Sequence, residues 1–111
     1  YRDAHGATVI DSEGRRGDAC EQQQARWVAV HMPIADRDDG GGMAILDHGD
    51  NGPTPTAWRV DAQRGINPSP VIDGPLTLAP ETPRTWRYRV LAHGGRLPAA
   101  RIDALWQEFA R

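Results

Sequence analysis

Apolar and polar residues alternate along two stretches of this chain, and near its end the spacing changes to a helical period. From Gln24 to Met32, Ala25, Trp27 and Ala29 fall on one side and Arg26, Val28, Val30 and Met32 on the other. Period two over that length predicts a strand, and the mixed character of both sides predicts that both are partly covered. Arg84 to Ala92 alternates too, with Trp86, Tyr88, Val90 and Ala92 expected inward and Arg87 and Arg89 outward. Shorter strands are expected at residues 6–10, 43–46, 57–60 and 75–78. After Pro98 the apolar residues Ile102, Leu105, Trp106 and Phe109 recur at i, i+3, i+4 and i+7. That is one face of a helix, and its expected place is buried against the sheet. Pro98 suits the first helical turn, where a missing N–H costs nothing.

The connections follow from turn chemistry. Asp11-Ser12-Glu13-Gly14 reads as a turn, Arg15 to Glu21 as a polar loop, and residues 79–83 as a second turn. Asp36-Arg37-Asp38-Asp39-Gly40-Gly41-Gly42 reads as a flexible connection, closing an antiparallel hairpin with a long loop. Its aspartates lack the ligand spacing and the closing Glu of an EF-hand. Asn67-Pro68-Ser69-Pro70 cannot lie inside a central strand, because proline removes ladder donors. The expected fold is mainly β: an antiparallel β-sandwich, part of a larger sandwich, with one C-terminal α-helix. Residues 1–111 would form a single domain or the C-terminal part of one.

Composition narrows the chemistry. A chain of 111 residues buries a thin core, roughly 60–70% of its unfolded surface. No apolar run is long enough to span a membrane. The polar start Tyr1-Arg2-Asp3-Ala4-His5 is no signal peptide and lacks an initiator Met. It reads as a piece of a longer protein, expected in the cytoplasm rather than secreted, with the N-terminal half of that protein as a partner. A formal charge of −2 argues against a nucleic-acid surface. All 13 basic residues are Arg, so Schiff-base chemistry and Walker-type phosphate binding are excluded within this segment. Cys20 is the single cysteine, and His5, His31, His48 and His93 are widely scattered. Neither a disulfide nor a metal site is expected, and no cofactor is called for.

The densest chemistry lies between Met43 and Val60. An apolar strand runs into Asp47-His48 and then Asp50-Asn51-Gly52-Pro53. A carboxylate and an imidazole at a strand end, held by a stiff turn, suit general acid–base work on a rigid support. Asp47 and His48 are therefore the candidate catalytic pair. Asn51, Trp58, Arg59 and Asn67 are the candidate substrate-binding set, with Trp58 as a stacking face. Asp47, His48 and Asn51 are expected at one rim of the sheet, at least partly open to solvent. The same residues also read as ordinary turn chemistry, and Trp58 also reads as core.

The order of motifs carries a resemblance. Gln24-Ala25-Arg26-Trp27-Val28, Ala44-Ile45-Leu46-Asp47-His48-Gly49-Asp50-Asn51, Pro55-Thr56-Ala57-Trp58-Arg59-Val60 and Gly65-Ile66-Asn67-Pro68 follow one another. Pro75-Leu76-Thr77-Leu78-Ala79-Pro80, Arg87-Tyr88-Arg89-Val90-Leu91-Ala92-His93-Gly94-Gly95 and Ala100-Arg101-Ile102-Asp103-Ala104-Leu105 complete the series. From about Asp11 to Phe109 the chain resembles the C-terminal part of the bacterial family labelled "methane oxygenase PmoA". The resemblance implies a β-rich sandwich in a protein two to three times this length, associated with sugar metabolism. Two positions depart from the family pattern: His48-Gly49 stands for its His-Pro, and Trp58-Arg59 for its Trp-His. The first loosens the turn, and the second removes a His ligand.

Three functions follow as expectations. One is a sugar-processing enzyme or its accessory half, with a carbohydrate ligand at Asp47, His48 and Asn51. Another is a non-catalytic sugar-binding or interaction module. The third is a structural half-domain whose strand edges pair between copies.

Overall fold

The computed structural model describes residues 6–61 and 65–110. Four antiparallel strands form the main sheet: β1 (Thr8–Asp11), β2 (Trp27–Ile34), β3 (Arg37–Asp47) and, entering later in the chain, β6 (Tyr88–Gly94). Their order is β1-β2-β3-β6. Two further strands, β4 (Trp58–Asp61) and β5 (Gly65–Pro68), make a separate antiparallel ribbon. One helix, α1 (Ala99–Phe109), closes the described chain. The mainly β, antiparallel architecture with a C-terminal helix is the one the alternation predicts.

Each face of the main sheet has its own cover. On one face Val9, Val28 and Val30 pack against Trp58 and Val60 of the ribbon, with Cys20 and Ala25 filling in. On the other, Trp27, Ala29, Ala44 and Leu46 pack against Ile102 of α1, flanked by Leu105, Trp106 and Phe109. Mixed sides in β2 follow from this: it is covered above and below. Both core tryptophans satisfy their polar edge, as buried indoles must. The Trp58 indole N–H donates to the Ala25 carbonyl at 2.8 Å, and that of Trp27 to Asp103 at 3.2 Å. Of the helical face, Ile102 is buried while Leu105, Trp106 and Phe109 are half-buried.

The structure departs from the expected connections in four places. Residues 37–42 are strand and not a flexible loop. Asp36 takes a left-handed conformation (φ 66°), which Asp tolerates better than most residues, and Ile34 pairs with Arg37 across a two-residue turn. The glycines then sit in the ladder because neighbours crowd them. A Cβ on Gly42 would run into the Val30 carbonyl, and one on Gly41 would reach the His93 carbonyl at 2.9 Å.

Residues 75–78, expected as a strand, join no sheet. The last sheet strand begins at Tyr88 and not at Arg84, because a side chain takes the place of the ladder there. Asn51 accepts from the Arg87 N–H and donates to the Arg87 carbonyl, both at 2.7 Å. Tyr88 is half-buried and Arg87 and Arg89 are exposed, as expected, but from Val90 on the inward face of β6 is the opposite of the expected one. Register sets Leu91 beside Ala44 and Arg89 beside Leu46, on the side that α1 covers. Arg89 lays its guanidinium over the Phe109 ring at 4.7 Å. Val90 is 55% exposed and Met43, on the same side, 42%, because the ribbon covers β1 and β2 but stops short of β6.

Candidate functional site

Asp47, His48 and Asn51 do come together at the end of β3, but they are enclosed. Their exposures are 5%, 8% and 6%, which corrects the expectation of an open rim. The closure is built from the sequence that follows. Pro53 and Pro55 bring the chain back so that Thr56 faces Asp47. The Asp47 carboxylate accepts from the Thr56 N–H at 2.9 Å, the Thr56 hydroxyl at 3.0 Å and the Asn51 amide at 2.7 Å. The Asp47 carbonyl accepts from the Trp106 indole at 2.7 Å, which ties α1 to the strand end. His48 uses Nδ1 to accept from the Asp50 N–H at 3.0 Å, and its ring meets Phe109 edge-on with centroids 5.0 Å apart. Arg84 donates to the Asn51 carbonyl at 2.8 Å. Tyr88, opposite Asp47 in the ladder, has its phenol pushed up by burial and then by the Asp47 charge. A small cavity of about 200 Å³ lies against this cluster, lined by Arg26, His48, Pro53 and Trp106 among others.

The candidate substrate-binding residues do not converge there as a set. Trp58 is 0% exposed, so its ring offers no stacking face and belongs to the core. Arg59 holds Glu21 through Nε at 2.8 Å, and Asn67 is its cross-strand neighbour on the ribbon. Glu21 also accepts from the Val60 N–H at 2.7 Å, so this pair clamps the ribbon to the turn at Gly17–Cys20. Cys20 itself is 1% exposed. Burial, with the nearby Asp11 charge second, pushes its thiol up to about 11, the signature of an inert thiol.

A second opening lies on the helix side, toward the other end of the sheet. It is a cleft of about 350 Å³ between β1, β2, β6 and the first turn of α1. His31, His93, Arg16, Arg96 and Thr8 supply its polar groups, and Ile10, Ala29, Leu97 and Ile102 its apolar ones. His31 and His93 come together through β3: both pair with Gly42, one from each side. The His93 ring lies over bare backbone at Gly42, where a Cβ would sit 3.1 Å from it, and the His31 ring lies over Gly40, where a Cβ would sit 2.9 Å from it. The Nε2 of His31 is 3.2 Å from the Asp39 carbonyl, and Nδ1 of His93 is 3.4 Å from that of Gly94. Asp39 is itself occupied by Arg37, which donates to both of its carboxylate oxygens at 3.0 Å.

The sequence reading named none of the cleft's polar residues as a site. The one available signal is the pair of histidines on the strands either side of a glycine run that itself reads as a loop. Among the described residues, no group of three or more His, Cys, Asp and Glu gathers as a metal would require. No helix among them is long and apolar enough to cross a membrane.

The chain belongs to the family of unknown function DUF6807, whose model matches residues 1–107. No curated protein gave a match. No solved structure gave one either.

Proposed function

We propose that this chain is the ligand-binding part of a carbohydrate-handling protein, an accessory to chemistry and not its catalytic centre. The observation that supports it is the state of Asp47. Its carboxylate accepts three hydrogen bonds inside the fold and is 5% exposed. A general acid or base has to reach the proton it moves, and this group is committed to holding a turn. The cleft on the helix side is instead open. Its size falls within the roughly 300–1,000 Å³ of small-molecule sites, and it mixes apolar walls with a few polar groups, as such sites do. The carbohydrate class comes from the PmoA-like order of motifs and its association with sugar metabolism.

The test is a calorimetric titration of the full-length protein with monosaccharides and their acids, run beside product analysis of the same mixtures. Binding without turnover is the expected result. Sugar turnover abolished by Asp47→Asn, with the melting temperature unchanged, would overturn the accessory role and return Asp47 and His48 to a catalytic one.

A second reading, an interaction module, is favoured by one feature. β6 is an edge of the main sheet, and Val90 and Met43 leave an apolar surface beside it. Unpaired edges template pairing with a further strand, from another part of the same protein or from a second copy. Light scattering on the wild type and on Val90→Lys separates the two functions, since only an interface is broken by that change.

A further inference from the structure

The lining of the helix-side cleft has an unusual balance of charge. The chain carries 15 acidic residues and a formal charge of −2. Yet the groups around this opening include two arginines, two histidines and a threonine, and no carboxylate. Arg16 and Arg96 are both exposed side chains at its mouth. Among the described residues neither has an ion pair, whereas Arg15, Arg26, Arg37, Arg59 and Arg87 all do. Asp38 and Asp39 line the neighbouring opening that shares His31 and Arg96, and Asp39 is held through both oxygens by Arg37. A guanidinium fork matches a carboxylate in two parallel hydrogen bonds, and Arg is suited to that role wherever planar anions are read. The first turn of α1 borders the same space through Ala99, and its cap residue Pro98 offers no side-chain acceptor. The turn's N–H groups add a weak preference in the same direction.

The two imidazoles ask for something different. Each has one ring nitrogen directed at a backbone carbonyl, His31 through Nε2 and His93 through Nδ1. The tautomer that satisfies this contact puts the hydrogen on that nitrogen. In the neutral ring the other nitrogen is then an acceptor, fitted to a ligand hydroxyl. Thr8 adds a hydroxyl that can donate or accept. Acceptors for hydroxyls on the floor and cations for an acid at the mouth describe one kind of molecule.

From this we propose that the cleft binds a sugar acid, its carboxylate on Arg16 and Arg96 and its hydroxyls toward His31, His93 and Thr8. The assignment rests on the reading of the protein as a carbohydrate binder and names the class of ligand and the place.

The experiment uses the full-length protein and three probes: glucuronate, glucose and inorganic phosphate. Each is titrated by calorimetry into the wild type, Arg16→Ala and Arg96→Ala, with melting temperatures as the folding control. Both arginines are exposed, so both variants should melt near the wild type. Glucuronate should bind more tightly than either glucose or phosphate. Each substitution should weaken glucuronate about tenfold, the loss of one charge-assisted contact, and leave glucose unchanged. Glucose and glucuronate binding equally, with neither variant affecting them, would overturn the sugar-acid assignment and leave the sugar-binding function standing. Phosphate binding as tightly as glucuronate would show that the anion alone is read, and would also overturn it. Failure of both sugars to bind would remove the carbohydrate reading itself. His31→Ala and His93→Ala supply the second measurement: each should weaken both sugars and leave phosphate alone. Unchanged sugar affinity in both would overturn the placement of the hydroxyls.

Discussion

Replacing Asp47 tests whether the cluster at the end of β3 is a lock or a catalyst. In Asp47→Ala three donors lose their acceptor: the Asn51 amide, the Thr56 N–H and the Thr56 hydroxyl. Each bond to a charged acceptor contributes about 1.5–3 kcal/mol net. The three do not add in full. The Asn51 amide keeps its second acceptor, the Arg87 carbonyl at 2.7 Å, and the Thr56 hydroxyl can rotate. The Thr56 N–H has no such freedom. A loss of about 3–5 kcal/mol is expected, at the severe end of single substitutions. Asp47→Asn should cost less, about 2–3 kcal/mol, because one oxygen still accepts while the new NH₂ faces another donor. The assay is urea unfolding, with the slope checked against the wild type so that a shifted midpoint means stability. Ligand binding is scored per folded molecule and should not change. A loss under about 1 kcal/mol for Asp47→Ala, at unchanged slope, would refute the lock, because so small a value is that of a single exposed contact.

Four further outcomes follow from the structure. Ile102→Ala should cost about 2–4 kcal/mol, since its side chain is enclosed between α1 and the sheet; urea unfolding measures it. Trp106→Ala should cost about 2–3 kcal/mol, less than a fully enclosed Trp, because the ring is half-buried, although it also gives up its bond to the Asp47 carbonyl. Cys20 should resist iodoacetamide at about pH 8 in the folded protein and react once urea unfolds it, as a buried thiol pushed up to about 11 requires. Asp103 is held below the usual carboxylate range chiefly by its hydrogen bond from Arg26, with Trp27 also donating and burial opposing. A depressed folded value stabilises above the unfolded one and is lost as pH falls through the folded one. The urea midpoint should therefore drop on acidification through and below about pH 4, and Asp103→Asn should flatten that acid limb.

What the sequence disclosed depended on side chains having a period. Trp27 to Val30 and Ile102 to Phe109 carry strong alternation and strong helical spacing, and both elements formed where expected. Gly40-Gly41-Gly42 has no side chains, so it carries no period, and its place in β3 is invisible without the partners that crowd it. Arg84 to Arg87 alternates well, but Arg87 gives its N–H and carbonyl to the Asn51 side chain, a competition that no propensity records. The strand-end position of Asp47 and His48 was legible because apolar Met43–Leu46 must lie in a sheet. Their enclosure was not, since it depends on Thr56 and Trp106 arriving from later in the chain. His31 and His93 are joined only by their shared register on Gly42, which appears once both hairpins are paired.

These facts assign different work to the two ends of one strand. At Asp47 every oxygen has a donor and the helix is pinned by the Trp106 indole. A strand end so saturated has little left to offer a ligand, because a new partner would have to displace one of these bonds. At Gly42 the strand presents no side chain, and the His93 ring rests on its backbone, as the His31 ring rests on Gly40. Glycine there weakens the strand. Such a weakness is tolerable where the other end is locked, since a four-stranded ladder shares the load. An opening between sheet and helix needs both conditions. The helix must be anchored somewhere, or the cleft would collapse onto the core, and the strand beneath must be bare somewhere, or side chains would fill the space. Trp106 meets the first condition and Gly42 the second. The stability of this domain and its capacity to hold a ligand are thus written into opposite ends of β3.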